Sequence, residues 1–204
     1  MGFYRNVILP RLTDFAMRNA ELRPFRERVI GAAEGRVLEI GAGSGLNLKF
    51  YGPGAREVLA LEPDPKLMAM ARQHARKATR PVSFLEASVE EIPLDDQSVD
   101  TVITTWTLCT IPDAGHALRE MRRVLKPVGR LLFVEHGLAP ESVVQKWQDR
   151  LTPMWKRISG GCHLNRPISA LIERGGFRID RLDTGYIRGP KPMTFMYEGT
   201  ARPG

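Results

Sequence analysis

Three glycines at alternate positions, Gly41, Gly43 and Gly45, follow an apolar run that contains the acidic residue Glu39. Glycine tolerates positive φ, and its missing side chain lets a ligand lie against the backbone. The pattern is typical of a buried strand that turns sharply beneath a nucleotide-like ligand, although such a loop alone is equally consistent with a plain tight turn. A dinucleotide fingerprint would have its last glycine at the sixth position, which is Leu46 here, and the Glu39 carboxylate would repel a pyrophosphate. The loop therefore favours a ligand with an ammonium group over NAD.

Further candidate residues stand at the ends of three later strand patterns. Glu62 lies about 20 residues beyond the loop, where an acidic side chain holds ribose hydroxyls in nucleotide-binding α/β sheets. A carboxylate suits this contact because it accepts hydrogen bonds from two adjacent hydroxyls. Trp106 and Cys109 follow a later strand pattern, and His136 directly follows another. These side chains are candidates to contact a second ligand and to move a proton.

Alternating strand and helix patterns must position these residues. Apolar runs predict strands at 36–40, 57–62, 81–86, 99–105 and 130–135, and two late strands at 177–182 and 193–197. Helical segments between the first five strands complete four βα units, which predicts a doubly wound α/β sheet. Ligands bind beyond the carboxyl ends of the strands in such sheets. The candidate residues should therefore meet at one edge of the sheet.

Two helical regions flank this core. Residues 3–33 predict helices divided at Pro10 and Pro24, and we define residues 1–34 as an N-terminal helical cap. The cap either packs on the core or closes over the cofactor or rests on a membrane surface. Near the other end, Val143, Trp147, Leu151 and Trp155 stand at four-residue spacing and predict one apolar, aromatic helix face.

Size and charge limit the function classes. The chain of 204 residues suits one domain, and no apolar stretch approaches the ~20 residues that span a bilayer. With no signal-peptide pattern, we expect a cytoplasmic protein. The net charge of +7 permits contact with an anionic membrane surface, but the basic residues are scattered, which argues against a nucleic-acid partner. Nothing in the patterning specifies an oligomeric state. Cys109 and Cys162 are predicted to be free thiols, and their spacing predicts no metal site.

The stretch from Arg36 to Asn47 resembles motif I of the class I S-adenosylmethionine-dependent methyltransferases. The resemblance covers nearly the whole chain and implies a single domain over residues 1–204. It also implies a Rossmann-like, seven-stranded sheet in the order 3-2-1-4-5-7-6, with S-adenosylmethionine as the cofactor. The cofactor contacts that it implies are Glu39, Gly41, Ala42, Gly43, Gly45, Asn47, Glu62, Pro63, Ser88, Val89 and Thr105.

Short clusters at 106–109, 135–137, 147–148, 153–156 and 160–166 are similar to a narrower branch. The animal members of this small methyltransferase-like branch are alkyl thiol S-methyltransferases. The resemblance implies a small hydrophobic methyl acceptor, which includes a thiol as one option. We expect the pocket for this acceptor to be lined by Trp106, Cys109, Trp147, Trp155 and His163.

Methyl transfer from a sulfonium depends mainly on an in-line approach of the acceptor, because the methyl group is already activated. A thiol, phenol or alcohol acceptor must also lose a proton, and His136 is the predicted general base because histidine titrates near ~6.5. A structural role for His136 stays open. The main expectation is an enzyme that methylates a small molecule and releases S-adenosylhomocysteine. The alternatives are an N-methyltransferase of phosphatidylethanolamine headgroups and a non-catalytic subunit that binds S-adenosylmethionine.

Overall fold

The computed structural model describes Tyr4 and residues 8–204, and its centre is a seven-stranded sheet in the order β3-β2-β1-β4-β5-β7-β6. The strands are β1 (Gly35–Ile40), β2 (Ala55–Leu61), β3 (Val82–Leu85), β4 (Val99–Thr105), β5 (Leu125–His136), β6 (Phe177–Tyr186) and β7 (Phe195–Pro203). The helices are α1 (Leu9–Met17), α2 (Arg23–Gly31), α3 (Pro65–His74), α4 (Ala114–Val124), α5 (Ser142–Ile158), α6 (Ile168–Arg174) and α7 (Lys191–Thr194). The predicted fold class and strand order are confirmed.

The central strands are apolar on both faces because helices cover both sides of the sheet. In β1, Leu38 and Ile40 belong to one core cluster and Val37 belongs to the other. The two clusters alternate in the same way along β4 and β5, as the two-residue period of a strand requires. The first five strands are parallel, so their carboxyl ends share one edge of the sheet.

The late strands form the antiparallel pair that closes the sheet, since β7 pairs with both β5 and β6. The predicted strand at 193–197 begins too early, because residues 191–194 form the short helix α7. It also ends too early, since β7 continues to Pro203. Likewise β5 begins at Leu125, directly after α4. These differences change strand ends and leave the topology as predicted.

The buried face of α5 differs from the predicted one. Val144, Gln148 and Thr152 are buried, whereas Val143 is 65% exposed and Trp147 is 52% exposed. The Gln148 amide explains this rotation. Its oxygen accepts from Ala139 N, and its nitrogen donates to the carbonyls of residues 137, 164 and 192. A buried amide with every polar atom bonded is stable in a core, so the polar side chain faces inward.

The N-terminal region forms two short helices within the described residues. Pro10 and Pro24 occupy the first turns of α1 and α2, where proline costs no helical hydrogen bond. The predicted helix start at Phe3 lies outside the described residues. In the part of the chain that the structure describes, no helix has the length and apolar character needed to cross a bilayer.

Candidate active site

The glycine loop after β1 adopts the backbone that its sequence predicts. Gly41, Gly43 and Gly45 have φ values of +63°, +56° and +79°. A Cβ on Gly45 would lie 2.9 Å from the Ala71 Cα in α3, so this glycine permits close packing of loop and helix. A Cβ on Gly43 would meet only the Gly41 carbonyl oxygen, at 3.9 Å. Gly43 therefore leaves open space above the loop, as a ligand that lies on the backbone requires.

Glu62 connects the loop to the end of β2. Its carboxylate accepts hydrogen bonds from Gly43 N and from Asp64 N, each at 2.9 Å. The side chain is buried, and burial raises the pKa of its carboxyl. Each carboxylate oxygen retains a second lone pair. Glu62 can thus hold the loop and also accept from ligand hydroxyls.

Glu39 lies beneath the loop in a fully buried polar network. Its two oxygens accept from Asn47 Nδ2 at 2.7 Å and from the Tyr51 hydroxyl at 2.8 Å. Arg26 Nε donates to Asn47 Oδ1 at 2.8 Å. Burial raises the pKa of Glu39 to about 7, against the opposing effect of these hydrogen bonds. Asn47 lines the cavity above the loop and Glu39 does not, so the direct contact between Glu39 and the ligand stays a prediction.

That cavity, which we call the glycine-loop cavity, has a volume of about 100 Å³. Its lining includes the predicted residues Gly41, Ala42, Gly43, Asn47 and Thr105. Helix α1 lies over it, and the Ser44 hydroxyl donates to Asp14 Oδ1 of α1 at 2.6 Å. Small-molecule sites usually offer roughly 300 to 1,000 Å³. The loop chemistry fits S-adenosylmethionine, and the glycine-loop cavity is smaller than a usual small-molecule site.

Six predicted cofactor residues do not line the glycine-loop cavity. Glu39, Gly45 and Glu62 belong to the loop or support it, whereas Pro63, Ser88 and Val89 do neither. Ser88 and Pro63 are exposed, and Val89 is buried in the core. The Ser88 hydroxyl oxygen accepts from Glu90 N at 3.2 Å, so it closes a local turn. Pro63, Ser88 and Val89 thus lie outside the cavity lining, and their contact with the cofactor stays a prediction.

A second, larger cavity adjoins the first, and we call it the acceptor cavity. Its volume is about 440 Å³, and Thr13, Met17 and Trp106 line both cavities. Most of its lining is apolar and comes from α1, from the end of α5 and from the loops after β4 and α5. Trp106, in the wall of both cavities, has a backbone φ of +52°, which is strained for a residue other than glycine. An apolar molecule in the acceptor cavity would lie next to a ligand on the glycine loop.

The polar atoms of the acceptor cavity form a cluster of two thiols and an imidazole. Cys109, His136 and Cys162 all line the cavity, and His136 Nε2 lies 3.0 Å from Cys162 Sγ. Hydrogen bonds with Cys109 and with His136 lower the pKa of the Cys162 thiol. The pKa of Cys109 is raised by its hydrogen bond with Cys162 and by burial. Burial opposes a charge on His136, but the contact with Cys162 raises its pKa. The cluster therefore favours a thiolate on Cys162.

The acceptor cavity contains some of the predicted residues and not others. Trp106, Cys109 and Trp155 line it, together with His136. Trp147 does not, because α5 turns this side chain to solvent. His163 is half-buried outside the cavity and interacts through Nδ1 with the Cys109 carbonyl oxygen at 3.1 Å. Cys162 also lines the acceptor cavity but was not among the predicted pocket residues. The only sequence feature that pointed to it was the cluster at 160–166.

Glu135 is a further buried acid that the sequence analysis did not single out. Its Oε1 accepts from the Thr104 hydroxyl at 2.6 Å and from Thr107 N at 3.1 Å. Its Oε2 is buried with no hydrogen-bond partner among the described residues. Burial raises the pKa of this carboxyl to about 7. Glu135 fixes the start of the loop that carries Trp106 and Cys109.

Comparisons with known proteins agree with this geometry. Residues 38–133 match the family model of a methyltransferase domain. The human thiol S-methyltransferase TMT1B is 35% identical over 82% of this chain and 69% of its own length, and the rat protein of that name is 38% identical over 72% and 62%. The chain thus spans 62% to 69% of the length of these curated relatives. A solved SAM-dependent methyltransferase from Aquifex aeolicus has the same fold, with a TM-score of 0.65 and 20% identity over 94% of this chain and 97% of that one.

Proposed function

Because the chain belongs to the class I S-adenosylmethionine-dependent methyltransferases, we propose that it methylates the sulfur of a small hydrophobic thiol. The observation that carries this proposal is the apolar acceptor cavity next to the glycine loop, with Cys109, His136 and Cys162 as its polar cluster. The similarity to proteins named thiol S-methyltransferases supports the same acceptor class.

The glycine loop and its supports hold S-adenosylmethionine in this proposal. Gly43 offers open backbone, and Glu62 accepts from the ribose hydroxyls while it keeps the loop in place. Asn47 contacts the methionine end, and Glu39 acts behind it by fixing the Asn47 amide. Contacts of Pro63, Ser88 and Val89 with the adenosine end stay predictions of the sequence. Helix α1 moves to admit the cofactor, since it covers the loop.

The acceptor cavity orients the thiol for an in-line attack on the methyl group. Positioning supplies most of the rate, because a sulfonium methyl group needs no further activation. Water is excluded by the apolar walls, among them Trp106 and Trp155. A thiol with a pKa of ~8.5 must lose its proton before it attacks. This proton passes to the pair of His136 and Cys162, which lies in the cavity wall.

Several other expectations from the sequence remain predictions. They are the single domain over 1–204, the helical cap at 1–34, the cytoplasmic location, contact with an anionic membrane and the absence of a nucleic-acid partner. The contact between α1 and the glycine loop supports a cap that closes over the cofactor.

A competition among acceptors tests the proposal. The purified chain, S-adenosylmethionine and alkyl thiols from ethanethiol to octanethiol are incubated together, and the S-methyl thioethers are quantified by mass spectrometry. We expect kcat/KM to rise with chain length because the cavity is apolar. Phosphatidylethanolamine vesicles should remain unmethylated. Methylation of the vesicles without thioether formation would overturn the proposal in favour of headgroup N-methylation. Cofactor binding without any turnover on either acceptor would overturn it in favour of a non-catalytic subunit.

A further inference from the structure

The cluster in the acceptor cavity has the ligand set and the spacing of a metal site. Cys109 Sγ, one ring nitrogen of His136 and Cys162 Sγ all lie within 4.8 Å of one another. Around a tetrahedral zinc ion with bonds of 2.0 to 2.3 Å, such atoms are separated by about 3.6 to 3.8 Å. The 3.0 Å distance from His136 Nε2 to Cys162 Sγ would therefore need to open by only about 0.6 Å.

The fold brings the three ligands together from distant parts of the chain. His136 ends β5, and Cys109 follows the neighbouring parallel strand β4. Cys162 lies in the segment between α5 and α6, which the protein ties to the loop of Cys109. His163 N donates to the Cys109 carbonyl oxygen at 2.9 Å, and the Arg166 guanidinium donates to two further carbonyls of that loop. The ligand atoms are thus held near one another before any metal binds.

The sulfur and nitrogen donor atoms favour a metal ion between hard and soft in character, such as zinc. Thiolate and imidazole ligands suit zinc and exclude magnesium and calcium, which prefer oxygen. Two thiolates would neutralise the charge of Zn²⁺, so the burial of Cys109 and Cys162 is compatible with a bound ion. The spacing of these residues in the sequence predicted no metal site, because their proximity arises only from the tertiary fold.

A zinc ion bound by these three residues would keep one coordination position for a substrate. Among the described residues, the cluster contains three ligands and no fourth histidine, cysteine or carboxylate. Catalytic zinc sites have three protein ligands and an open position, whereas structural sites have four. All three ligands line the acceptor cavity. The open position therefore faces the space in which the proposed acceptor binds.

We propose that Cys109, His136 and Cys162 bind a zinc ion whose fourth coordination position takes the sulfur of the acceptor thiol. The acceptor part of this inference depends on the proposed function, and the metal-binding part does not. With zinc bound, His136 is a ligand, and the zinc replaces the pair of His136 and Cys162 as the group that activates the thiol.

The chemical step balances without an additional reactant. A zinc-bound hydroxide takes the S–H proton and leaves as water, and the thiolate sulfur binds the zinc in its place. A lone pair of this sulfur then forms a bond to the methyl carbon of S-adenosylmethionine. The bond between that carbon and the sulfonium sulfur breaks, and its electron pair stays on the cofactor sulfur, which becomes a neutral thioether. The methylated product is a weaker zinc ligand than a thiolate and is released.

Metal content is the first measurement. The full chain is purified under reducing, chelator-free conditions, incubated with ZnCl₂ and desalted, and its zinc is measured by plasma mass spectrometry. We expect about one zinc per chain. Anaerobic replacement with Co²⁺ should give sulfur-to-cobalt charge-transfer absorption and the intense visible bands of a tetrahedral site. Less than a tenth of a zinc per chain in the wild-type protein would overturn the proposal without any variant.

Matched substitutions assign the ligands. Cys162→Ser and His136→Asn should each lower the retained zinc at least tenfold and remove the tetrahedral cobalt spectrum. His116→Asn changes an exposed histidine at the start of α4 and should leave both readouts unchanged. Circular dichroism and S-adenosylmethionine binding verify that each variant folds. Equal zinc retention in all three variants would refute the assignment of the ligands.

The failures of the two proposals are distinguishable in the same samples. Thiol methylation by a chain that binds no zinc would overturn the metal site and leave the proposed function intact. Stoichiometric zinc in a chain that methylates no thiol would refute the substrate role of the open position together with the proposed function.

Discussion

The buried carboxyl of Glu135 makes stability depend on pH in a direction opposite to that of most acidic residues. Burial raises its pKa from 4.5 to about 7 in the folded chain. Between these pH values the folded state holds a proton that the unfolded state has released. The free energy of unfolding therefore falls as pH rises through this window, and the loss is complete above the folded pKa.

The size of the effect follows from the same values. Each pH unit corresponds to about 1.4 kcal/mol, so a pKa raised from 4.5 to about 7 costs about 3 kcal/mol once the group is ionised. Glu135→Gln removes the titration and keeps an oxygen for the bonds from Thr104 and Thr107. We expect the stability of the wild type, relative to this variant, to fall by about 2 to 3 kcal/mol between pH 5 and pH 8.

Urea denaturation of both proteins at pH 5, 6, 7 and 8 measures this difference, and titrating groups that do not interact with Glu135 cancel in the comparison. Glu198→Gln is the matched control, because Glu198 is a buried carboxylate that pairs with Arg28 at 2.6 Å. This control removes another buried carboxylate, so a fall with pH that is confined to the comparison with Glu135→Gln assigns the effect to Glu135. A difference for Glu135→Gln that stays constant within about 0.5 kcal/mol would refute the burial argument.

Three further substitutions test the supports of the site. Gln148→Met leaves four buried backbone groups without their partner and should lower the free energy of unfolding by about 2 to 4 kcal/mol in urea denaturation. The control Gln73→Met changes an exposed helix position and should lower it by less than about 0.5 kcal/mol. Equal losses in the two variants would contradict the buried network. Gly43→Ala should weaken S-adenosylmethionine binding at least tenfold in calorimetry and lower the free energy of unfolding by about 1 kcal/mol. Gly45→Ala should lower the free energy of unfolding by about 2 to 4 kcal/mol, because its Cβ would meet α3. The reverse order of these two losses would refute the assigned glycine roles. Trp155→Ala enlarges the acceptor cavity and should shift the kcat/KM preference several-fold toward longer thiols, and an unchanged preference would remove Trp155 from the cavity wall.

The parts of the fold that local sequence determines were predictable. The glycine loop, the strand patterns and the first-turn prolines depend on neighbouring residues, and the structure confirms the sheet order and the positive φ values of the loop. The face of α5 was not predictable from its own spacing. Gln148 is buried only because three other segments present backbone groups to its amide. Four-residue spacing of apolar side chains carries no information about those segments, so Trp147 was placed in a cavity that it does not reach.

The candidate site likewise contains residues that were predictable from the sequence and residues that were not. Residues at the ends of parallel strands, such as Glu62, Trp106 and His136, were predictable because the topology places strand ends at one edge. The proximity of Cys162 to His136 depends on how the segment after α5 folds back over the sheet. The cover that α1 forms over the glycine loop depends in the same way on tertiary contacts, among them the bond from Ser44 to Asp14. Contacts between segments distant in the chain leave no periodic signal in a single sequence.

Single-turnover transfer of a labelled methyl group tests the central claim most directly. The chain, in excess over S-adenosylmethionine labelled with ¹⁴C in the methyl group, is mixed with octanethiol or with the alcohol of equal length. The account predicts that the label moves into the S-methyl thioether with the thiol and stays on the cofactor with the alcohol, because only the thiol ionises readily. Label that stays on bound S-adenosylmethionine with both acceptors, or that moves to both at the same rate, would contradict it.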